Sequence, residues 1–241
     1  MIGSLFSFQF RDGPGVPKDA PPKTGLALFA SILGREWWEL IKLNLLFLIA
    51  ALPLITLPAA YVAMTRLCVT MVEDKNHYLL RDFRHTFAIR FADAFLTGIF
   101  ALIIGALAVF AASFYAKAAQ DNLAFAAPLG LAVAVIVLLP IYLSALMLVF
   151  VISDLSLKAA LKAAAIATLA RPLPGLAALA ITAALWLIHI AFYPVSLPMP
   201  VIMNFSLGTL VMSFAMLPGA RTGIEYVGVE APGNASKRPH P

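Results

Sequence analysis

The chain has 241 residues, of which 62% are hydrophobic and 12% are charged, and its formal net charge is +5. A soluble globular protein is about 45–50% apolar and about 25% charged, so this composition excludes an ordinary soluble domain. We attribute the positive charge to loops beside the cytoplasmic face of a membrane rather than to nucleic-acid binding.

The apolar residues lie in blocks long enough to cross a membrane. A helix needs about 20 apolar residues to span the hydrocarbon layer, and in lipid every backbone N–H and C=O must be paired within the protein. The blocks lack the period-two alternation of a membrane β-barrel. The sequence therefore predicts an all-α fold, a polytopic helical membrane bundle. Its single cysteine, Cys68, excludes an internal disulfide.

The amino-terminal segment 1–25 is polar and contains four prolines, which predicts an irregular cytoplasmic arm. Trp37 and Trp38 follow the charged residues Arg35 and Glu36. Paired tryptophans beside charges are typical of the membrane–water boundary, so we expect these two to anchor the chain there.

The first apolar block, 43–65, is interrupted by Pro53 and Pro58. It is either one kinked span or a hairpin of two short helices, 40–52 and 59–72. Five lysines and arginines precede the block and five more occur in 66–93. The positive-inside tendency puts both groups in the cytoplasm only if the block is a hairpin. Each arm would be about 22 Å long against a hydrocarbon core of roughly 30 Å, so snorkelling side chains or a thinned bilayer must cover the difference.

The remaining apolar blocks predict four more spans: 95–115, 125–152, 173–193 and 201–217. Basic and non-basic loops alternate between them. With the hairpin this gives six membrane helices in a domain of residues 26–220, followed by a flexible tail, 221–241, with both termini in the cytoplasm. The alternative is five spans with an external amino terminus.

Two cytoplasmic segments predict amphipathic helices. In 78–91 an apolar residue recurs every four positions, including Phe83 and Phe87, which makes a stripe on one helix face. In 156–169 two lysines are offset from an apolar side. Each helix is either a link between spans or a docking surface for a partner.

Polar side chains within the spans are few, and each raises a functional question because burying them in lipid is costly. Asn44 and Asn204 are candidates for hydrogen bonds between helices. His189 lies near the outer end of its span, which favours an interfacial histidine over a proton relay.

Charged candidates lie at the cytoplasmic ends of the spans. Arg66 is within snorkelling reach of the cytoplasmic face. Asp93 stands at the mouth of the next span, where it is placed to pair with Arg66 or Arg90.

The sequence contains no GxxxxGK[ST] nucleotide loop, no HExxH zinc motif and no run of buried carboxylates. It therefore offers no candidate catalytic, cofactor-binding or metal-binding residues. We predict a non-enzymatic protein without a cofactor, whose surroundings are the lipid bilayer and whose oligomeric state the sequence leaves open.

Segment 44–49 (NLLFLI), followed by 52–56 (LPLIT), resembles the YesL-like family of bacterial multi-pass membrane proteins. Phe83 and Phe87 match the family's later F-x-x-x-F stretch, and 156–162 (SLKAALK) is similar to its second cytoplasmic loop. Pro58 stands where the family usually has glycine. The resemblance covers roughly residues 25–220 and marks Pro53, Thr56 and Pro58, in the proline-rich turn, as candidate functional residues.

The family is of unknown molecular function, and its members are associated with bacterial carbohydrate uptake. The resemblance therefore implies an accessory or assembly subunit in the bacterial inner membrane that contacts permease subunits of an ABC-type transporter. Small-residue helix faces in 126–134 and 177–184 are candidate contact surfaces. The rival hypothesis is a stand-alone transporter or channel with a polar path lined by Asn44, Thr56, Asn204 and His189.

Overall fold

A computed structural model describes residues 23–230 of the chain. Within these residues the chain forms α-helices and no strand. The helices are α1 (Gly25–Ala51), α2 (Leu57–Val72), α3 (Leu79–Asp121), α4 (Ala126–Ile152), α5 (Leu157–Ala170), α6 (Pro172–Ala191) and α7 (Phe205–Glu230). The predicted all-α fold is confirmed. Residues 1–22 of the predicted irregular arm lie outside the described part of the chain.

Five helical segments are long and apolar enough to cross a membrane: Leu54–Val72, Leu79–Asp121, Leu123–Ile152, Pro172–Ala191 and Pro200–Gly228. The protein is thus a helical membrane protein. The sequence predicts six membrane helices; five meet this criterion of length and apolar composition, and α1, the first arm of the predicted hairpin, is the one outside the set. Charged residues from Arg35 to Lys42 interrupt α1 and leave too short an apolar stretch after them.

The predicted hairpin is confirmed, and the single kinked span is wrong. The chain reverses between α1 and α2 through a short 3-10 turn, Leu54–Thr56. Arg35, early in α1, donates to the carbonyl of Met71 at the end of α2 (3.0 Å) and pairs with Asp74 (3.1 Å). The two helices therefore lie antiparallel. The first arm begins at Gly25 rather than near residue 40, because nothing in 25–39 breaks a helix.

The predicted amphipathic helix 78–91 and the following span are one helix, α3, of 43 residues. The division that we expected near Phe91 is absent because the next three residues, Ala92, Asp93 and Ala94, include two strong helix formers and no breaker. At 1.5 Å per residue, a helix of this length is about 64 Å long. It extends well beyond a hydrocarbon layer of about 30 Å.

The predicted helix in 156–169 is found as α5, and its small-residue face packs against α7. Ala163 and Ala167 are buried in this contact. A Cβ atom on Gly223 of α7 would lie 2.1 Å from the carbonyl oxygen of Ala163, so the approach requires glycine there. The alanine face of α5 is therefore covered by the chain itself and is not a docking surface.

Helix α7 continues to Glu230. The predicted flexible tail was placed from residue 221 onward, and its first ten residues, 221–230, are helical instead. They stay helical because Arg221 and Gly223 contact α2 and α5. The rest of the predicted tail, 231–241, lies outside the described residues.

Candidate functional site

A polar cavity of about 550 Å³ lies where α2, α4 and α7 end and α3 begins. We call it the polar cavity. It collects charged side chains and one histidine from segments far apart in the chain. These are Arg66, Glu73, Lys75, His85, Arg90, Asp154, Arg221 and Glu225.

Two arginines of the polar cavity bind the carboxyl end of α4. Arg66 donates to the carbonyl of Val151 (3.0 Å), and Arg90 donates to the carbonyl of Ser153 (2.8 Å). The last carbonyls of a helix lack intrahelical partners and carry partial negative charge. Both arginines therefore cap α4.

Arg90 also has acidic partners. It lies 2.9 Å from Asp154 and 3.9 Å from Asp93. Of the two pairings predicted for Asp93, the structure thus has the one with Arg90.

Glu73 joins the end of α2 to α7. Its carboxylate binds Arg221 of α7 and Lys75 (2.6 Å to Lys75). Burial alone would raise the pKa of Glu73, but the hydrogen bonds and charges of Lys75 and Arg221 outweigh it and hold the pKa below its usual range. These ion pairs close one wall of the polar cavity.

Asn44 is fully buried and joins α1 to the start of α7. Its Nδ2 donates to the carbonyls of Pro200 (2.9 Å) and Val201 (2.7 Å). Its Oδ1 accepts from the backbone N–H groups of Phe205 (3.1 Å) and Ser206 (3.0 Å). These bonds hold the π-helical segment Pro200–Asn204 and the first turn of α7 against α1. The predicted hydrogen bonds between helices are thus present for Asn44.

Asn204 and His189 have different surroundings from Asn44. Asn204 is 1% exposed, and neither polar atom of its side chain has a hydrogen-bond partner among the described residues. His189 Nδ1 lies 3.0 Å from the hydroxyl of Ser196, and that hydroxyl lies 2.7 Å from the His189 carbonyl. His189 thus stabilises the turn that follows α6.

The residues of the proline turn hold α1, α2 and α3 together. The hydroxyl of Thr56 lies 2.5 Å from the carbonyl of Ala50 and 2.6 Å from that of Pro53. Pro58 occupies the first turn of α2, where its missing N–H leaves no hydrogen bond unmade. A Cβ atom on Gly98 of α3 would lie 2.5 Å from Pro58 Cγ. The turn therefore packs closely against α3.

Phe83 is buried and stacks on Phe87, with ring centroids 6.4 Å apart. Phe83 packs into the same core cluster as α1 and α2. The two rings are largely interior packing. Of the residues predicted to line a polar path, Asn44, Thr56 and His189 each take part in a separate local hydrogen-bond network.

An uncovered small-residue face lies on the first half of α4. Ala126, Gly130 and Ala134 are four residues apart and all exposed. A Cβ atom on Gly130 would have no heavy atom within 4 Å. We call these three residues the small-residue face. Sequence reasoning identified 126–134 as such a candidate, but it missed Glu73, His85, Arg221 and Glu225 of the polar cavity.

The family described as "Protein of unknown function, DUF624" has a model that matches residues 40–111. The matched segment contains the second half of α1, all of α2 and most of α3. Eight of the candidate residues fall within it: Asn44, Pro53, Thr56, Pro58, Arg66, Phe83, Phe87 and Asp93. No curated protein and no solved structure matches the chain.

Proposed function

We propose that the chain is a non-enzymatic accessory or assembly subunit of a bacterial membrane transport system, in contact with permease subunits of an ABC-type carbohydrate transporter. The resemblance to the YesL-like family suggests the transport system. The family match supplies similarity over residues 40–111 to proteins of unknown function.

The observation that carries the proposal is the small-residue face. Between membrane helices, small side chains let two backbones approach closely, and spacings of four residues favour such contacts. Ala126, Gly130 and Ala134 have this spacing and are exposed. Residues 141–150 of the same helix are mostly buried inside the bundle. The first half of α4 thus offers a surface for a helix of another protein.

A second face of the same kind occurs on α6, where Ala177, Ala180 and Ala184 are exposed. Both faces belong to predicted spans, so their partner is a membrane helix rather than a soluble protein. This supports a permease subunit over a cytoplasmic partner.

We place the polar cavity on the cytoplasmic side of the bacterial inner membrane. Basic residues of helix ends and connections lie at this end of the bundle, among them Lys75, Arg81, Arg171 and Arg221, whereas the opposite end carries Lys117. The positive-inside tendency favours this orientation. It puts the start of α1 and the end of α7, and so both termini, in the cytoplasm.

The test uses the full chain, tagged and purified in mild detergent from native membranes, with co-purified permease subunits quantified by mass spectrometry. We expect Ala134→Leu to reduce their recovery several-fold, because the larger side chain separates the two backbones. Ala106→Leu is the matched control, since Ala106 is exposed on α3 outside the small-residue face. We expect recovery with it to equal that of the natural chain.

Two outcomes would contradict the proposal. One is recovery of the natural chain alone when its expression is matched to that of the permease. The other is an equal loss with both variants. Solute flux into liposomes that contain this chain alone would support the rival stand-alone transporter.

A further inference from the structure

A groove of about 1150 Å³ runs along the outside of the bundle between α1 and the first part of α3. Its lining is mostly apolar. The principal apolar residues are Leu46, Ile49 and Ala50 on α1 and Leu79, Phe83 and Phe87 on α3.

The groove exists because α1 and α3 pack on the same helix but hardly touch each other. Arg35 joins α1 to the end of α2, and Gly98 of α3 packs against Pro58 at the start of α2. The first part of α3 then continues past the end of α2. A space is left between α1 and α3 that side chains of the described residues do not fill.

One end of the groove is basic, with Arg81, Arg84 and His85 in its lining. Arg81 is held in place by Asp82 (2.9 Å) and by the ring of Tyr78, whose centroid is 4.2 Å away. Arg84 is exposed and has no ion-pair or hydrogen-bond partner among residues 23–230. Its guanidinium is therefore available to an anion.

The basic end lies near the membrane–water boundary. Trp37 and Trp38, which are 44% and 66% exposed, lie at the same end of the bundle, because Arg35 contacts the end of α2. Exposed tryptophans are enriched at headgroup level. Ile49, near the other end of the groove, is deeper along α1 and 66% exposed.

We propose that this groove binds one anionic phospholipid. Its phosphate contacts Arg84 and Arg81, and an acyl chain lies along Ile49 and Phe87. Charge complementarity selects an anionic headgroup, and the apolar lining selects a lipid over a free phosphate. The inference rests on the groove alone and is independent of the partner contact proposed above.

The headgroup test uses the full chain, purified in detergent and depleted of lipid, with native mass spectrometry as the readout. Phosphatidylglycerol and phosphatidylcholine with identical acyl chains are the probes. We expect stronger retention of phosphatidylglycerol, and about fivefold weaker retention of it in Arg84→Gln, the effect of one arginine near an anionic headgroup. Arg171→Gln, which removes an exposed charge outside the groove, is the matched control and leaves retention unchanged.

The site proposed for the acyl chain is tested by a substitution that fills the groove with a larger side chain. Ala88 lines it and is exposed, so Ala88→Trp is expected to weaken retention of both lipids, whereas Ala106→Trp on the far half of α3 leaves it unchanged. Equal retention of the two natural lipids, or equal losses in Arg84→Gln and Arg171→Gln, would overturn the proposal. So would full competition by glycerol 3-phosphate at the concentration of the lipid, since that would assign the site to a free phosphate.

Discussion

Helices α2 and α6 are both long and apolar enough to cross a membrane, but they have opposite surroundings. The most apolar window of α2 has a mean hydropathy of 1.5 and is 61% buried inside the bundle, whereas that of α6 has a mean hydropathy of 1.9 and is 11% buried. The more apolar helix is the more exposed one. In a bilayer, lipid tails are as apolar as leucine, so hydropathy does not sort helices into interior and surface.

Small side chains lie at the helix contacts of both α2 and α6, but more of α2 is covered by such contacts. Ala59, Ala60 and Ala63 of α2 are buried, and they let neighbouring helices approach α2 closely. In α6 the buried positions are Gly175 and Ala178, while other alanines remain uncovered. Packing between helices therefore concentrates around α2, and α6 presents most of its circumference to lipid or to a partner.

The largest loss of stability is expected when the hydrogen bonds of Asn44 in the interior of the bundle are removed. Asn44→Ala removes the side-chain partners of four backbone groups in residues 200–206, of which the N–H of Ser206 is buried and the other three are partly buried. We expect it to destabilise the fold by about 3 kcal/mol or more, because each unpaired buried polar group costs about 1–3 kcal/mol. Unfolding in mixed micelles with increasing sodium dodecyl sulfate measures the change. Asn76→Ala, at an exposed asparagine, is the matched control, and equal destabilisation of both variants would argue against the role of Asn44.

The comparison of α2 with α6 is tested directly by replacing one alanine in each helix with leucine. Ala63 of α2 is 0% exposed, so Ala63→Leu is expected to destabilise the fold by about 1–3 kcal/mol through overpacking. Ala184 of α6 is exposed, and Ala184→Leu is expected to change stability by less than about 0.5 kcal/mol. The same unfolding assay applies. If both substitutions destabilise equally, α6 is packed in the folded protein and the comparison fails.

The smallest expected effect concerns the ion pairs of Glu73. Because its pKa is lowered in the folded protein, the ionised carboxylate stabilises the fold above the unfolded pKa of about 4.3. This stabilisation is lost as the pH falls through the lower folded pKa. We expect about 0.5–1 kcal/mol, since Arg221 is half exposed and such pairs are weak.

The check on Glu73 is the pH dependence of unfolding between pH 7 and pH 3. Glu73→Gln is expected to flatten it, while Glu225→Gln, at an exposed glutamate, leaves it as in the natural chain. A variant Glu73→Gln with an unchanged pH profile would refute the contribution of these ion pairs.

Sequence reasoning predicted the features that depend on neighbouring residues. The turn at Pro53 and Pro58 was predictable because proline lacks an N–H donor and because charge lies on both sides of the block. The division of α3 was predicted wrongly, because a change from an amphipathic to an apolar pattern does not end a helix. The first arm of the hairpin does not meet the length and composition criterion of a span, because the charged residues between Arg35 and Lys42 lie within α1.

The candidate site was less predictable because its parts meet only in the folded chain. An amide in an apolar block must be paired, so Asn44 could be identified as a hydrogen-bonding residue. Its partners lie more than 150 residues away, and nothing local identifies them. The same holds for Glu73 and Arg221, which are 148 residues apart and look individually like ordinary loop charges.

The amide of Asn44 has a consequence for the order in which the protein is made. It pairs with Ser206, which is 162 residues later in the chain. At about 5–20 residues per second of synthesis, the ribosome needs about 8–32 s to produce that partner. During this interval α1 is already made, but the side-chain amide of Asn44 has no partner. The helix α1 can therefore reach its final position in the bundle only after the start of α7 has been made. Folding of this bundle is therefore completed by a contact between α1 and α7. A chain truncated before residue 200 would leave α1 without the hydrogen bonds that hold it.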